Sequence, residues 1–490
     1  METKKSREQE KTPFLDAYKA YLESDPVPFD VPGHKLGSFE TDLSRKLSPC
    51  FSKYDANAPI GLDNLYHAKG VIKEAEDLAA KACHADHCLF SVNGTTGAIL
   101  TRFRSTLHAK DKVIRPRNIH KSVVNGLILS GATPIFVNPF IDEELGVACQ
   151  RRRDDLIKAR DENKDAKAVF IINPTYFGIT SDLKKIVEEA HNRNRIVRCD
   201  EAHGSNFYFS SKLPVSARQA GADITARSRH KNSGSLTQTS LLLVKGKRID
   251  RFEVKRAFAR FSSTSPYHPL MASLDAARKE RALQGKEILD RCLELSKYAR
   301  EHLNKIPGIH VYDKDYIKKW NTTGVFDIDL TKLVIDVRGL GRFGYDVYKE
   351  IRKEANIQLE LGEVSVVLAV VGPGTKKEHI DRLIQAFERL SKEHYKEGKK
   401  LSVLRYCYTY PIRRRIPRTA YDDPYKILPL KDAVGEISEE TIRAYPPGIP
   451  IILPGEEISK DTITRINFYR REKGQILKDT KEGCIKVVVR

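Results

Sequence analysis

The sequence contains little methionine and no long apolar run. Only two methionines, Met1 and Met271, occur in 490 residues. No segment reaches the roughly eighteen uninterrupted apolar residues that a membrane-spanning helix needs. The charged stretch from Met1 to Lys11 also lacks the apolar core of a secretory signal. With 40% apolar residues, enough for a full-sized core in two or three domains, we expect a soluble, globular, cytoplasmic protein.

The eight cysteines form no pattern that is typical of a metal site. None belongs to a C-x-x-C pair or to a Cys/His cluster with the spacing of zinc ligands. Scattered, reduced thiols are usual in cytoplasmic proteins. We therefore expect neither disulfides nor a bound metal.

The formal net charge of +20 raises nucleic acid and anionic membranes as partners. The sequence nevertheless lacks a recognition helix and the interleaving of aromatic and basic residues that is common in nucleic-acid-binding proteins. We therefore expect no nucleic-acid and no membrane partner. A non-enzymatic, basic nucleic-acid-binding protein stays open as a distant alternative.

Arginine occurs at several positions where the pattern calls for an apolar residue. Arg198, for example, interrupts the strand-like run that ends at Asp200. Strands of a parallel sheet are covered on both faces, where arginine is seldom fully buried. Either these are true arginines that snorkel or pair with carboxylates, or an arginine codon is read as methionine in the native protein. The positions are Arg102, Arg104, Arg115, Arg198, Arg227, Arg229, Arg260 and Arg443.

Short apolar runs alternate with helical patterns between about residues 70 and 290. This alternation predicts βαβ units and a mostly parallel sheet. The predicted strands are Cys88–Val92, Lys112–Ile114, Thr133–Val137, Ala168–Ile172, Ile196–Asp200, Ile224–Ala226 and Ser240–Val244. The predicted helices include Ile72–Cys83, Thr96–Leu107, Lys121–Leu129, Leu183–Arg193 and Leu274–Leu303.

Four regions follow from the composition along the chain. Residues 1–45 are predicted to form an N-terminal arm and residues 46–304 a large α/β domain. Residues 305–400 have the pattern of a small α+β domain, with strands at Lys332–Val337, Ile357–Leu361 and Val364–Val371. Residues 401–490 are predicted to form a C-terminal α+β domain.

An aspartate and a lysine mark the most informative part of the chain. Asp200 ends an apolar run in Asp-Glu-Ala-His-Gly, and Lys231 follows the next predicted strand in Ser-Arg-His-Lys. Alone, Asp200 would more often be a helix cap, and Lys231 a solvent-exposed lysine. Together at the ends of parallel strands, they suit pyridoxal phosphate. The lysine would hold its aldehyde as a Schiff base, and the aspartate would keep its pyridine nitrogen protonated.

A turn rich in glycine and threonine precedes the predicted helix Thr96–Leu107. Gly94, Thr95 and Thr96 lead from a strand into a helix, where backbone N–H groups and hydroxyls can bind a phosphate. Many such turns carry these residues for conformational reasons alone. His120 is by itself more often structural, but next to a planar cofactor we expect it to stack on the ring.

Several motifs resemble the bacterial ornithine/lysine/arginine decarboxylases, which are fold type I pyridoxal-phosphate enzymes. The resemblance runs from about residue 12 to residue 480 and is nearest to the short arginine decarboxylases of polyamine synthesis that lack a wing domain. The motifs are Val31–Lys35, Asn93–Gly97, Pro116–Ser122, Asn173–Gly178, Asp200–Gly204, Ser228–Lys231, Leu236–Gln238 and Tyr445–Pro450.

The resemblance implies a role for each matched residue. Lys231, Asp200, His120 and His230 would be the catalytic residues. Glu360 would lie near the distal cationic group of the substrate. A homodimer at least is implied, through a segment near Ser262–Tyr267. The residues implied around the cofactor are Gly94, Thr95, Thr96, His120, Asp200, Ala202, His203, Ser228, His230 and Lys231.

The resemblance also implies the reaction, which is decarboxylation of a basic amino acid. Arginine, giving agmatine and carbon dioxide, is the expected substrate, with lysine and ornithine as alternatives. An aminotransferase or lyase of the same fold would use Asp200 and Lys231 equally well, so the residue types alone leave this alternative open.

Overall fold

The structure is a computed structural model that describes residues 2–39, 42–48, 50–142, 144–145, 147–150, 153–320, 324–401, 409–445, 449–471 and 474–489. It divides into two compact units. The first unit combines Met1–Thr106 with Arg198–Leu289, and the second combines Leu107–Val197 with Asp290–Arg490. The four regions expected from composition stay a prediction.

The helices are numbered in chain order. They are α1 (Glu2–Gln9), α2 (Pro13–Glu23), α3 (Asp42–Leu47), α4 (Cys50–Lys53), α5 (Val71–Ala82), α6 (Gly94–Thr106), α7 (Lys121–Ser130), α8 (Arg153–Glu162), α9 (Leu183–His191), α10 (Arg251–Phe261), α11 (His268–Leu303), α12 (Asp315–Trp320), α13 (Gly344–Glu354), α14 (Lys377–His394), α15 (Pro417–Asp422) and α16 (Lys460–Arg471). Among the described residues, none of these helices is both long enough and apolar enough to cross a membrane.

The strands are β1 (His87–Ser91), β2 (Lys112–Pro116), β3 (Thr133–Val137), β4 (Ile141–Asp142), β5 (Val147–Ala148), β6 (Ala168–Ile172), β7 (Ile179–Thr180), β8 (Ile196–Asp200), β9 (Ile224–Ser228), β10 (Ser240–Val244), β11 (His310–Val311), β12 (Asp327–Ile328), β13 (Lys332–Asp336), β14 (Leu361–Gly362), β15 (Val366–Val370), β16 (Tyr425–Pro429), β17 (Ile442–Tyr445), β18 (Ile449–Ile452), β19 (Gln475–Leu477) and β20 (Cys484–Val488). Four predicted strands, β3, β6, β8 and β10, are confirmed with the same bounds.

The strands of the first unit lie in the order β1-β10-β9-β8. β10 is antiparallel to both of its neighbours, whereas β8 and β9 are parallel, with Asp200 opposite Ala226. Ser240 begins β10 and lies opposite both Ser91 and Ser228. The ends of these strands therefore bring Ser91, Ser228, Ser240 and Asp200 to one edge of the sheet.

The predicted N-terminal arm contains helix α2, which is anchored within the first unit. The rings of Phe14 and Tyr18 in α2 lie 5.6 and 5.9 Å from the ring of His268 at the start of α11. The backbone N–H of Phe14 donates to Asp275 in the same helix. Burial of both apolar side chains holds this segment against α11.

The second unit contains a parallel group and an antiparallel sheet. β2 pairs in parallel with β3 and with β6. β11, β13, β15 and β14 form an antiparallel sheet in that order. α13 and α14 each bury one apolar face, as expected for helices that pack on a sheet. Near the C-terminus, β17, β18 and α16 contribute to a separate apolar cluster with Ile442, Ile452 and Ile466.

One predicted strand is wrong for most of its length. The apolar pattern predicts an extended segment over Ile357–Leu361, but only Leu361–Gly362 pairs with β15. Asn356 has a left-handed backbone, with φ of 52°. It turns the chain after α13, so the segment meets β15 only at its end.

The structure separates the eight arginines into different environments. Arg102, Arg115, Arg198, Arg227 and Arg229 are at most 1% exposed, and Arg443 is also buried. Arg104 is only half-buried. Arg260 is exposed on α10, so the expectation of an apolar environment is wrong there. Its position on the outer face of an amphipathic helix explains the difference.

Candidate active site

Asp200 lies at the carboxyl end of β8, where its carboxylate is held by the following turn. The side chain is buried, and its Oδ1 accepts the backbone N–H of Ala202 at 3.2 Å. Four of the five β8 residues are buried, so the strand fixes the position of the carboxylate. The carboxyl ends of parallel strands are the usual ligand-binding edge of α/β folds.

Glu201, the next residue, anchors this turn and was not predicted from the sequence. The carboxylate is fully buried and accepts the hydroxyl of Tyr208 and the backbone N–H of Ala217, both at 2.6 Å. Burial raises its pKa to about 7, although the positive charges of Arg227 and Arg218 and both hydrogen bonds oppose the increase. A second acidic residue directly after the strand-end aspartate was the available signal.

Lys231 follows β9 in the turn that faces the same edge. Its Nζ lies 2.8 Å from Nε2 of His203. Asn232 donates to the backbone carbonyl of His203 at 3.0 Å, so the two turns are joined by two contacts. The lysine side chain is exposed, whereas His203 is buried. The structure thus brings Lys231, His203 and Asp200 to neighbouring turns of one unit.

The turn before α6 adds a group of hydroxyls. Oγ1 of Thr95 lies 2.5 Å from Oγ of Ser228 and 3.1 Å from Oγ of Ser240. Gly94 begins α6 with a left-handed backbone, φ of 63°, a conformation that glycine adopts readily. Thr96 is exposed in the first turn of the same helix. Three hydroxyls and a helix N-terminus at one place favour an anion. Ser240 was not predicted, because it belongs to a strand far along the sequence.

His230 has a defined tautomer in this arrangement. Its Nδ1 lies 2.9 Å from the backbone carbonyl of Thr239. A carbonyl oxygen can only accept, so Nδ1 carries the proton of this hydrogen bond. The ring is half-buried, and Ala202 is likewise half-buried in the turn after β8.

His120 and Glu360 both belong to the second unit. His120 caps α7, because its Nδ1 accepts the backbone N–H of Ser122 at 3.2 Å. The side chain is exposed. Glu360, just before β14, is also exposed and accepts the hydroxyl of Tyr176 at 2.5 Å. Its carboxylate is therefore oriented by a phenol whose role was not predicted from the sequence.

The predicted motifs also include a histidine near the N-terminus. In the segment Val31–Lys35, His34 Nε2 lies 3.1 Å from Asp55 Oδ2, a partly buried contact within the first unit. This histidine is thus engaged with a carboxylate. Residues 446–448 of the Tyr445–Pro450 motif lie outside the described residues.

The chain belongs to the Orn/Lys/Arg decarboxylase family. Residues 12–378 match the family described as "Orn/Lys/Arg decarboxylase, major domain", and residues 415–475 match the corresponding C-terminal domain. The chain is therefore an amino-acid decarboxylase of the α/β class, and the resemblance stated from its motifs is confirmed.

Similar proteins span nearly the whole chain. An arginine decarboxylase of Halalkalibacterium halodurans is 39% identical, with 94% of each chain covered. An arginine decarboxylase of Bacillus subtilis is 38% identical, with 98% of each covered. A lysine decarboxylase structure from Francisella novicida has a TM-score of 0.84 and 21% identity, covering 97% of this chain and 81% of that one. At this identity, the structural likeness shows the fold.

Proposed function

We propose that this decarboxylase uses pyridoxal phosphate to convert arginine to agmatine and carbon dioxide. The observation that carries the proposal is the juxtaposition of Asp200, Lys231 and the hydroxyls of Thr95, Ser228 and Ser240 at one edge of one sheet. Four relatives that are 36–39% identical to the chain are arginine decarboxylases, which favours arginine over the alternatives.

The residues present fit the cofactor. The three hydroxyls of Thr95, Ser228 and Ser240 and the N-terminus of α6 suit a phosphate, because hydroxyls and backbone N–H groups donate to its oxygens. A buried carboxylate at Asp200 suits a protonated pyridine nitrogen. An exposed amine at Lys231 suits an aldehyde, since it can form a covalent bond and be displaced.

Pyridoxal phosphate, when bound, supplies an electron sink for the bond that links Cα to the carboxylate of the substrate. Lys231 would be the residue that holds the cofactor through its aldehyde. His203, at 2.8 Å from Nζ, accepts a hydrogen bond from the lysine amine and orients it. Asp200 would hold a proton on the ring nitrogen by its opposite charge. Nε2 of His230, or Lys231 itself, would donate the proton that Cα needs once carbon dioxide is lost.

Glu360 is the proposed specificity residue, and His120 is the proposed stacking residue. Glu360, oriented by Tyr176, would pair with the guanidinium of arginine, for which a carboxylate is a strong bidentate acceptor. A lysine or ornithine ammonium could also bind there, which keeps both as alternatives. His120, fixed by Ser122 at the start of α7, would cover one face of the ring.

The proposal extends to assembly and location. We infer a homodimer at least, in which the segment Ser262–Tyr267 between α10 and α11 contributes to the neighbouring site. Residues 263–265 of this segment are exposed, as such a role requires. A cytoplasmic location accords with the scattered cysteines of the chain.

A substrate panel tests the proposal. Purified protein is loaded with pyridoxal phosphate and then supplied separately with arginine, lysine and ornithine, while carbon dioxide, the amine product and the corresponding keto acid are measured. We expect agmatine and carbon dioxide in equal amounts from arginine. Keto acid without carbon dioxide would replace the proposal by an aminotransferase. Release of only cadaverine or only putrescine would show that lysine or ornithine, and not arginine, is the substrate.

A further inference from the structure

Five arginines are almost fully buried within the part of the chain that the structure describes. Arg102, Arg115, Arg198 and Arg227 are 0% exposed, and Arg229 is 1% exposed. They lie in α6, β2, β8 and β9 and in the turn after β9, where most neighbouring positions are also buried. Arginine is among the residues that are almost never fully buried unless paired, because its charge loses its hydration.

Aromatic rings surround several of these side chains. The guanidinium carbon of Arg115 lies 5.5 and 5.4 Å from the ring centroids of Phe136 and Phe170. That of Arg198 lies 4.4 Å from the ring of Phe103. A methionine sulfur makes favourable contacts with aromatic rings at about 5 Å, and its unbranched side chain fills irregular spaces in a core. These environments therefore suit a thioether without any loss of hydration.

Arg229 shows the mismatch in detail. Among the described residues, its Nη2 donates to the carbonyl of Ala277 at 2.9 Å, while its buried Nε and Nη1 have no hydrogen-bond partner. The positive charges of Arg227 and Arg281 lie close enough to oppose its own. Burial first, and Arg227 second, lower its pKa to about 9. A neutral side chain would be free of both penalties.

Two other arginines show how this fold accommodates a real buried cation. Nη2 of Arg117 donates to Glu456 at 2.6 Å, with both side chains 1% exposed. Nη2 of Arg278 likewise donates to Asp275 at 2.6 Å. Each cation has a carboxylate directly at its guanidinium, which compensates the burial of both charges.

We propose that positions 102, 115, 198, 227 and 229 carry methionine in the native protein, because one arginine codon is read as methionine in its source organism. The scarcity of methionine supports this, since Met1 and Met271 are the only two written in 490 residues. Cores commonly use methionine to fill gaps. Position 102 lies next to the candidate site, since Nη1 of Arg102 donates to the backbone carbonyl of Cys199, the residue before Asp200.

The gene and the native protein test the proposal directly. We expect one arginine codon at all five positions and other arginine codons at Arg117 and Arg278. Peptide mass mapping of the protein purified from its own organism should give methionine at the five positions. Arginine at these positions in the native peptides, or trypsin cleavage after them, would overturn the proposal, whatever codons the gene contains.

A pair of recombinant proteins gives a second test that does not need the source organism. The chain with arginine as written is compared with R102M/R115M/R198M/R227M/R229M in a host with the standard code. We expect more soluble protein and a melting temperature higher by about 10 °C or more for the methionine chain, because five almost fully buried cationic side chains are replaced together by apolar ones. As matched controls, R117M and R278M should lower the melting temperature. An arginine chain as stable as the methionine chain would contradict the proposal.

Discussion

The sheet edge at the ends of β8 and β9 and the interior behind it carry charges in two different ways. At the edge, the carboxylates of Asp200 and Glu201 accept hydrogen bonds from the turns that follow. In the interior, the guanidinium of Arg198 lies against a phenyl ring and Arg229 has two other guanidinium groups as neighbours. At the edge, hydrogen-bond donors of the neighbouring turns stabilise the charged carboxylates. In the interior, the surroundings of Arg198 are those of an apolar core.

The free energy of a cation–ring contact is smaller than the cost of burying the cation. A cation over an aromatic ring gains about 0.5–2 kcal/mol. Removing an ion from water costs several kcal/mol even after the protein has relaxed. Ring contacts alone therefore leave a buried guanidinium at a net disadvantage. A well-placed carboxylate, such as Glu456 beside Arg117, can offset most of the cost.

Removing the charge of Lys231 should have the largest effect at the edge. In Lys231→Ala, we expect decarboxylation to fall by about a thousandfold or more, because the covalent anchor of the cofactor is lost. The melting temperature of the cofactor-free protein should stay unchanged, since the side chain is exposed. Activity assays and calorimetry measure the two effects. Lys212→Ala, another exposed lysine of the first unit, is the control that should retain activity.

Breaking the buried ion pair between Arg117 and Glu456 should have the next largest effect, a loss of stability. Glu456→Gln leaves Arg117 buried without its carboxylate, so we expect a loss of about 3–5 kcal/mol in the free energy of unfolding. Urea denaturation measures it. Glu457→Gln removes the acid of an exposed pair with Arg414 and should cost less than about 1 kcal/mol. Equal losses in the two variants would show that burial does not distinguish these pairs.

Replacing an interior cation should act in the opposite direction. In the recombinant protein with arginine as written, we expect Arg229→Met to raise the free energy of unfolding by about 1–4 kcal/mol, because a buried charge is replaced by an apolar side chain of similar length. Urea denaturation of both proteins measures the change. A decrease would mean that the hydrogen bond to Ala277 outweighs the cost of burial.

Glu201 should have a smaller effect, on the pH dependence of the free energy of unfolding. Its pKa is raised from 4.5 to about 7, so between these values the folded chain binds more protons than the unfolded chain. Its contribution to stability is therefore present below about pH 4.5 and is lost as pH rises towards 7. We expect Glu201→Gln, which imitates the protonated form, to remove about 3 kcal/mol of this pH dependence from the recombinant chain with arginine as written. Parallel stability curves for both proteins would contradict the expectation.

The residues at the ends of β8 and β9 could be predicted from the sequence better than the residues that contact them. Asp200 and Lys231 follow strands whose apolar runs are unambiguous, so their neighbourhood could be inferred from parallel topology alone. Glu201 and Ser240 could not be inferred, because their roles depend on contacts with Tyr208, Ala217 and Thr95 at distant positions.

Two predictions from the sequence were wrong, and each has a local structural cause. The apolar alternation of Ile357–Leu361 predicts a strand, but the left-handed backbone of Asn356 redirects the chain. Arg260 is grouped with interior arginines by its sequence context, although it lies on the exposed face of α10. Neither backbone handedness at asparagine nor helix orientation follows from composition.

The central claim is that Lys231 is the covalent anchor of pyridoxal phosphate in this decarboxylase. Borohydride reduction of the loaded protein makes the bond between the lysine and the cofactor permanent, and peptide mass mapping then locates it. We predict a single modified peptide that contains Lys231. Attachment at another lysine, or no attachment under conditions where the protein releases carbon dioxide from arginine, would contradict the account.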